Sequence, residues 1–198
     1  MANSLNSPVK AVALDFDGPI TNLDIDWNAA IRQASQIAGY DIKSLITFYE
    51  NSHATPVFQK VSCEMERLEL YAVATAQPKP YLENFLKTLQ DKKIPAYIVS
   101  MQSPKPIHVF LDQHSLTSYF TGFLTRLDCP NKTTQIQLVA KQANLSPKQI
   151  LLVDDSKRNI AACQQTGGTC FFFKRTQSLK ELRETWNKIL KLVATSQT

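Results

Sequence analysis

Residues 9–18 read Val9-Lys10-Ala11-Val12-Ala13-Leu14-Asp15-Phe16-Asp17-Gly18. Apart from Lys10, the first six positions are apolar and do not alternate with polar ones. That pattern fits a short strand buried on both faces of a parallel sheet. The run then breaks into Asp-Phe-Asp-Gly. Open parallel sheets place their binding crevice beyond the carboxyl ends of the strands, and these two carboxylates fall there.

Four more apolar runs follow: residues 95–100 (PAYIVS), 122–125 (GFLT, the weakest), 150–153 (ILLV) and 169–173 (TCFFF); four of the five runs are nearly continuous in hydrophobicity, as expected of strands buried on both faces. Helical patterns separate them. Residues 80–92 carry Leu82, Phe85, Leu86 and Leu89 on one face, and residues 106–114 carry Ile107, Phe110 and Leu111. Residues 134–143 carry Ile136, Leu138, Val139 and Ala143. Residues 157–165 run up to Gly167-Gly168, a helix stop. The last helix begins at Ser178, where Ser178 and Glu181 can form a capping box. Strands alternating with helices predict a doubly wound α/β fold, a three-layer Rossmann-like parallel sheet.

Residues 22–79 break the alternation. They hold helical patterns over about 26–38, 42–50 and 56–74, no convincing strand, and seven acidic against five basic residues. The expected organisation is an α/β core of residues 1–21 and 80–198. An all-helical unit, residues 22–79, is inserted after the first strand and folded over the end of the sheet.

Composition agrees with a globular chain. The 198 residues are 43% apolar and 20% charged, which excludes wholesale disorder and fibrous classes. The net charge of +5 is concentrated: residues 174–198 hold six basic and two acidic side chains. That segment is read as a solvated helix face, with no nucleic-acid partner expected. No run of 18 apolar residues predicts a membrane span. Residues 1–10 lack a leader pattern. The four cysteines form no Cys-x-x-Cys pair, which argues against zinc and disulfides and for a reducing, cytoplasmic setting. Oligomeric state is not legible.

Three strand ends carry reactive side chains: Asp15 and Asp17 after the first, Ser100 after the second, Asp154 and Asp155 after the fourth. Lys132 precedes the helix that leads into the fourth strand and is preferred over Lys105, Lys141, Lys148 and Lys157. Four gathered carboxylates repel unless a cation sits among them. An all-oxygen donor set without His or Cys suits Mg²⁺.

In this order the motifs resemble the haloacid dehalogenase-like hydrolase superfamily over nearly the whole chain. The residues concerned are Leu14-Asp15-Phe16-Asp17-Gly18, Ile98-Val99-Ser100, Lys132, and Val153-Asp154-Asp155-Ser156 with the trailing Asn159-Ile160. The resemblance implies a phosphatase acting on a small phosphorylated metabolite, with residues 22–79 as its small helical cap. Asp15 would be the nucleophile that forms an aspartyl-phosphate, and Asp17 the general acid and base. Gly18 would allow the turn between them and the substrate. Ser100 would bind a phosphoryl oxygen, and Lys132 would neutralise nucleophile and phosphate. Asp15, the Asp17 carbonyl and Asp155 would hold Mg²⁺, with Asp154 assisting.

The chain departs from the family pattern twice. Pro19 stands where Thr is common, and Asn159 where a further acid is common. A phosphomutase or a dehalogenase shares the scaffold, and a silent phospho-ligand-binding relative is the rival of another class. Asp17 counts against the dehalogenase, and both aspartates count against silence.

Overall fold

The computed structural model describes residues 8–165 and 167–194. The expectations for residues 1–7 and 195–198 lie outside the described residues. Among these residues five strands, β1 (Ala11–Leu14), β2 (Ala96–Val99), β3 (Phe120–Leu124), β4 (Ile150–Asp154) and β5 (Thr169–Phe172), form one sheet in the order β3-β2-β1-β4-β5. Every pairing is parallel. Strand order reverses beside β1, so the switch-point crevice opens between the carboxyl ends of β1 and β4.

Among the described residues, eight α-helices accompany the sheet: α1 (Trp27–Ala38), α2 (Leu45–Ser52), α3 (Pro56–Val73), α4 (Leu82–Asp91), α5 (Pro104–Gln113), α6 (Lys132–Gln142), α7 (Lys157–Gln165) and α8 (Leu179–Ala194). Side-chain alternation in the strands builds two apolar layers. Val12, Leu14, Ile98, Leu151 and Val153 pack against α4, α5 and α8. Ala11, Ala13, Tyr97, Val99 and Leu152 pack against α6 and α7. The expected three-layer arrangement is therefore present.

The expected double-sided burial holds for β1, β2 and β4. It fails for β5, whose residues are half-buried or exposed, and β3 is also only partly covered. Both are edge strands with one neighbour. The triple phenylalanine reflects this: Phe173 is buried on Trp186, while Phe172 is 43% exposed. α5 and α6 each start two residues before the sequence expectation. Pro104 tolerates the first helical turn, and Asn131 caps α6 by accepting from Thr134 N.

Helices α1–α3 share an apolar cluster of their own, built on Ala34, Leu45, Phe48, Phe58, Val61 and Met65. Each starts at a side-chain cap, Asp26, Ser44 or Thr55. The far end of α3, Ala72 and Val73, joins the sheet layer instead. Polar contacts hold this helical unit over the sheet. Glu50 takes Arg158 at 2.5 Å and Asn131 Nδ2 at 3.0 Å, and His53 Nε2 lies 3.2 Å from the Leu127 carbonyl. No helix among the described residues is long and apolar enough to cross a membrane.

Candidate active site

Beyond Leu14 the chain leaves the sheet through a tight turn. Asp15 N still donates to Val153 O at 2.9 Å, and then Ile20 N, at 3.3 Å, and Thr21 N, at 3.2 Å, donate back to Phe16 O. Phe16 is fully buried, edge-on to Phe110, and anchors the turn. Gly18 has φ +124°, and a Cβ there would lie 2.6 Å from Asp155 Cγ. Both conformation and space demand glycine, because the turn must let the Asp155 carboxylate close against the backbone.

Asp15 is oriented by two donors to Oδ1, Phe16 N at 2.8 Å and Lys132 Nζ at 3.2 Å. Lys132 is the first residue of α6, not merely a residue before it. Its ammonium also reaches Asp154 Oδ2 at 3.4 Å and donates to the Val99 carbonyl. Burial lowers the lysine's pKa, but Asp15 and Asp154 more than offset this and hold it above the usual range. Asp15 moves the other way. Desolvation, opposed by Lys132 and reinforced by Asp154 and Asp155, raises its pKa from 3.8 to about 8.

Asp154 is fully buried. Its Oδ1 accepts from Ser156 N at 2.8 Å, and Asn159 Nδ2 spans both oxygens at 3.2 and 3.0 Å. Asn159, at the position where a further acid is common, thus braces Asp154. Ser100 is buried at the end of β2 and donates its hydroxyl to Gln102 Oε1.

Asp17 Oδ1 accepts from Leu23 N at 2.9 Å, and Oδ2 pairs with Arg175 Nη2 at 3.0 Å. Burial raises its pKa, with Arg175 and the Leu23 N–H opposing. A carboxyl shifted this way holds its proton to higher pH than a free one does.

The solvated reading of the 174–198 segment holds for Lys174, Lys180, Arg183 and Lys188, which are exposed, but not for Arg175, which is half-buried against the site. Its Nε lies 2.7 Å from Asp155 Oδ2, and Nη2 donates to the Asp17 carbonyl at 3.2 Å. Arg126, likewise unassigned from sequence, is fully buried beside the site. It pairs with Glu69 Oε1 at 2.6 Å.

One ligand atom each from Asp15, Asp154 and Asp155 fall within 4.8 Å of one another. The donor set is all oxygen and strongly anionic, so it fits a hard divalent cation. Above it lies a cavity of about 330 Å³, bordered by Asp15, Asp17 and Asp155 below and by residues of α1 and α2 above.

Comparison with known proteins bears on this geometry. An enolase-phosphatase E1 of Aquifex aeolicus (strain VF5) is 23% identical over 216 residues, covering 87% of this chain and 91% of that protein. A phosphoglycolate phosphatase of Vibrio cholerae serotype O1 is 23% identical over 193 residues, covering 85% and 84%. The crystal structure of a predicted phosphoglycolate phosphatase from Haemophilus somnus 129PT shares the fold. It superposes with a TM-score of 0.64 at 17% identity, over 93% of this chain and 97% of that one. The haloacid dehalogenase-like hydrolase profile matches residues 12–173. The match runs from within β1 to just past β5 and encloses every carboxylate of the site, so the chain belongs to the haloacid dehalogenase-like hydrolase family.

Proposed function

We propose that the protein is a Mg²⁺-dependent phosphomonoesterase that works through an aspartyl-phosphate on Asp15, with residues 22–79 as the cap. The observation that carries this reading is the trio at the switch point: Asp15 clamped to Lys132, Asp17 two residues on with a raised pKa, and Asp155 across the crevice. Two relatives that match most of the chain are named phosphatases, which supports the same reaction class.

In this mechanism a carboxylate oxygen of Asp15 attacks phosphorus, and the bond from phosphorus to the ester oxygen breaks. Asp17 protonates that departing oxygen. It then takes a proton from water, which attacks the phosphorus of the aspartyl-phosphate and releases inorganic phosphate and Asp15. Lys132 and Ser100 hold phosphoryl oxygens and charge through both displacements. Asp15, the Asp17 carbonyl and Asp155 would hold Mg²⁺, backed by Asp154. When bound, the ion offsets the negative charge shared by nucleophile and phosphate. Asp17 has no part in dehalogenation, and its two-sided support by Leu23 N and Arg175 favours the phosphatase reading over that relative.

The test is hydrolysis of an aryl phosphate by the full chain, with Mg²⁺ and with excess chelator. Turnover that requires Mg²⁺ is expected. Equal rates in chelator would sink the reading.

Arg175 gives a second expected outcome. Its guanidinium sits on two oxygens assigned to the ion, Asp155 Oδ2 and the Asp17 carbonyl. Arg175→Gln removes this internal competitor and is expected to tighten Mg²⁺ binding by about 3–10-fold, the worth of one partly exposed charged contact. Calorimetric titration of Mg²⁺ into both proteins measures it. Weaker binding in the variant would mean that Arg175 supports the ion instead of competing with it.

A further inference from the structure

Both side chains assigned to the phosphoryl oxygens have their donors committed. The Lys132 ammonium offers three N–H groups and meets three acceptors: Asp15 Oδ1, Asp154 Oδ2 and the Val99 carbonyl. The Ser100 hydroxyl donates to Gln102 Oε1 and accepts from Gln102 N at 3.2 Å. Ser100 is fully buried and does not border the cavity. Two further donors on the floor are engaged as well. Asn159 Nδ2 spans the Asp154 oxygens, and Arg175 divides its guanidinium between Asp17 and Asp155. A phosphoryl group brought to Asp15 carries three nonbridging oxygens that call for donors or cations.

Gln102 has a donor to spare. It borders the same cavity as Asp15 and is 7% exposed. Its Oε1 takes the Ser100 proton, and neither N–H of Nε2 meets an acceptor among the described residues. Nε2 is not sealed in the core, because the sealed side-chain atoms without a partner among those residues are the Tyr49 hydroxyl and Gln135 Oε1. Strand register places this amide near the nucleophile. Leu14 pairs with Ile98, which sets Asp15 level with Val99, and one ammonium joins Asp15 Oδ1 to the Val99 carbonyl. Gln102 follows three residues later. Ser100 Oγ holds it at two points, the backbone N–H and Oε1, so the amide is fixed before any ligand arrives.

We infer that Gln102 is a further catalytic residue: its Nε2 donates to a nonbridging phosphoryl oxygen, and Ser100 is the positioning residue that aims it. The inference rests on the phosphatase reading above and refines one assignment within it. Ser100 holds the phosphoryl group through Gln102, not by its own hydroxyl. A donor already fixed in place needs no reorganisation in the transition state, and a hydrogen bond to an anion is stronger than one between neutral groups. A contact to the phosphoryl group also serves every ester alike, whatever its leaving group.

The test uses the full chain with Mg²⁺ and two esters of unlike leaving groups, phenyl phosphate and glycerol 3-phosphate. Gln102→Met keeps the side-chain length and removes the amide. It is expected to lower kcat/KM about 10–100-fold, by the same factor on both esters, the range of one hydrogen bond to a charged group. Binding of orthovanadate, a phosphoryl mimic, is expected to weaken in parallel. Gln102→Glu keeps the shape but replaces the donor with an anion, and is expected to lose at least as much. Ser100→Ala is expected to lose less than Gln102→Met, and the double variant to lose no more than about twofold beyond Gln102→Met alone. A loss from misfolding would lower Tm and would not produce this coupling. Either Gln102 variant within about twofold of the parent overturns the inference. So does a loss confined to one ester, which would put the amide on the leaving group. Losses that multiply in the double variant overturn it too, since Ser100 would then touch the phosphoryl group itself. Where one ester is not turned over, orthovanadate takes its place in the comparison. Calorimetry with orthovanadate separates this failure from failure of the phosphatase reading. If the parent binds it and turns over neither ester, the phosphatase reading falls, and the effect of Gln102→Met on that binding decides the inference. A parent with neither turnover nor binding overturns both.

Discussion

Asp15→Asn is expected to lower phosphate-ester turnover to background, a loss of roughly 10⁴-fold or more for removal of the proposed nucleophile. The same variant is expected to melt at a higher temperature than the parent in chelator at pH 8.5. Both effects come from one placement. Asp15 is desolvated beside Asp154 and Asp155, and with no divalent cation bound its pKa stands at about 8 against 3.8 in the ordinary state. Between those values the folded protein keeps a proton that the unfolded chain gives up. Stability from this group therefore falls as pH rises from about 4 to about 8, and then levels off. Asparagine has no such proton, so the melting temperature of the variant loses this part of the slope. Thermal melts of both proteins in chelator at pH 5 and pH 8.5 measure it. Parallel slopes would show that Asp15 is ionised throughout. Functional groups held at the expense of stability are common in active sites.

Arg126→Met is expected to destabilise the fold by about 3–5 kcal/mol, because it strands the buried Glu69 carboxylate without its cation. For a chain of this size that lowers Tm by roughly 10 °C. Arg126 joins three segments: α3 through Ser62 and Glu69, the turn after β2 through Met101, and the start of α5 through Ser103. Ser103 N also donates to Glu69 Oε2 at 3.0 Å. The double variant Glu69→Leu/Arg126→Met is expected to recover part of the loss, since no bare charge remains. Additive single losses in chemical denaturation would show that the two side chains are not coupled. The loss should also reach the reaction, because Glu69 borders the cavity and the pair ties the helical unit to the sheet.

The legible part of this protein lay in local signals. Val12 to Leu14 and Leu151 to Val153 are apolar without alternation because both faces are covered, and covered strands can be read directly. Asp15, Asp17, Ser100 and Asp154-Asp155 stood out because each follows such a strand. β5 was misread as doubly buried, since an edge position depends on strand order, which no short window contains. Arg126 and Arg175 were missed for a similar reason. Arg126 finds Glu69 57 residues away, and Arg175 finds the Asp17 carbonyl at a separation of 158. A signal was present all the same. Arg126 comes two residues after β3 and Arg175 three after β5, so the strand-end rule that singled out Asp15 also covered them.

The chain has two tryptophans, and the fold gives them separate optical duties. Trp186 is 2% exposed, tilted against Phe85 and Phe173, with its indole N–H on the Pro80 carbonyl at 3.0 Å. Its emission should be blue-shifted and should change when the sheet layer unfolds. Trp27 is half-buried on the cavity wall, so its emission should respond to an occupant of that cavity while the core stays intact. Intrinsic fluorescence thus supplies a folding probe and a binding probe in one unlabelled molecule, and Trp27→Phe or Trp186→Phe isolates either channel.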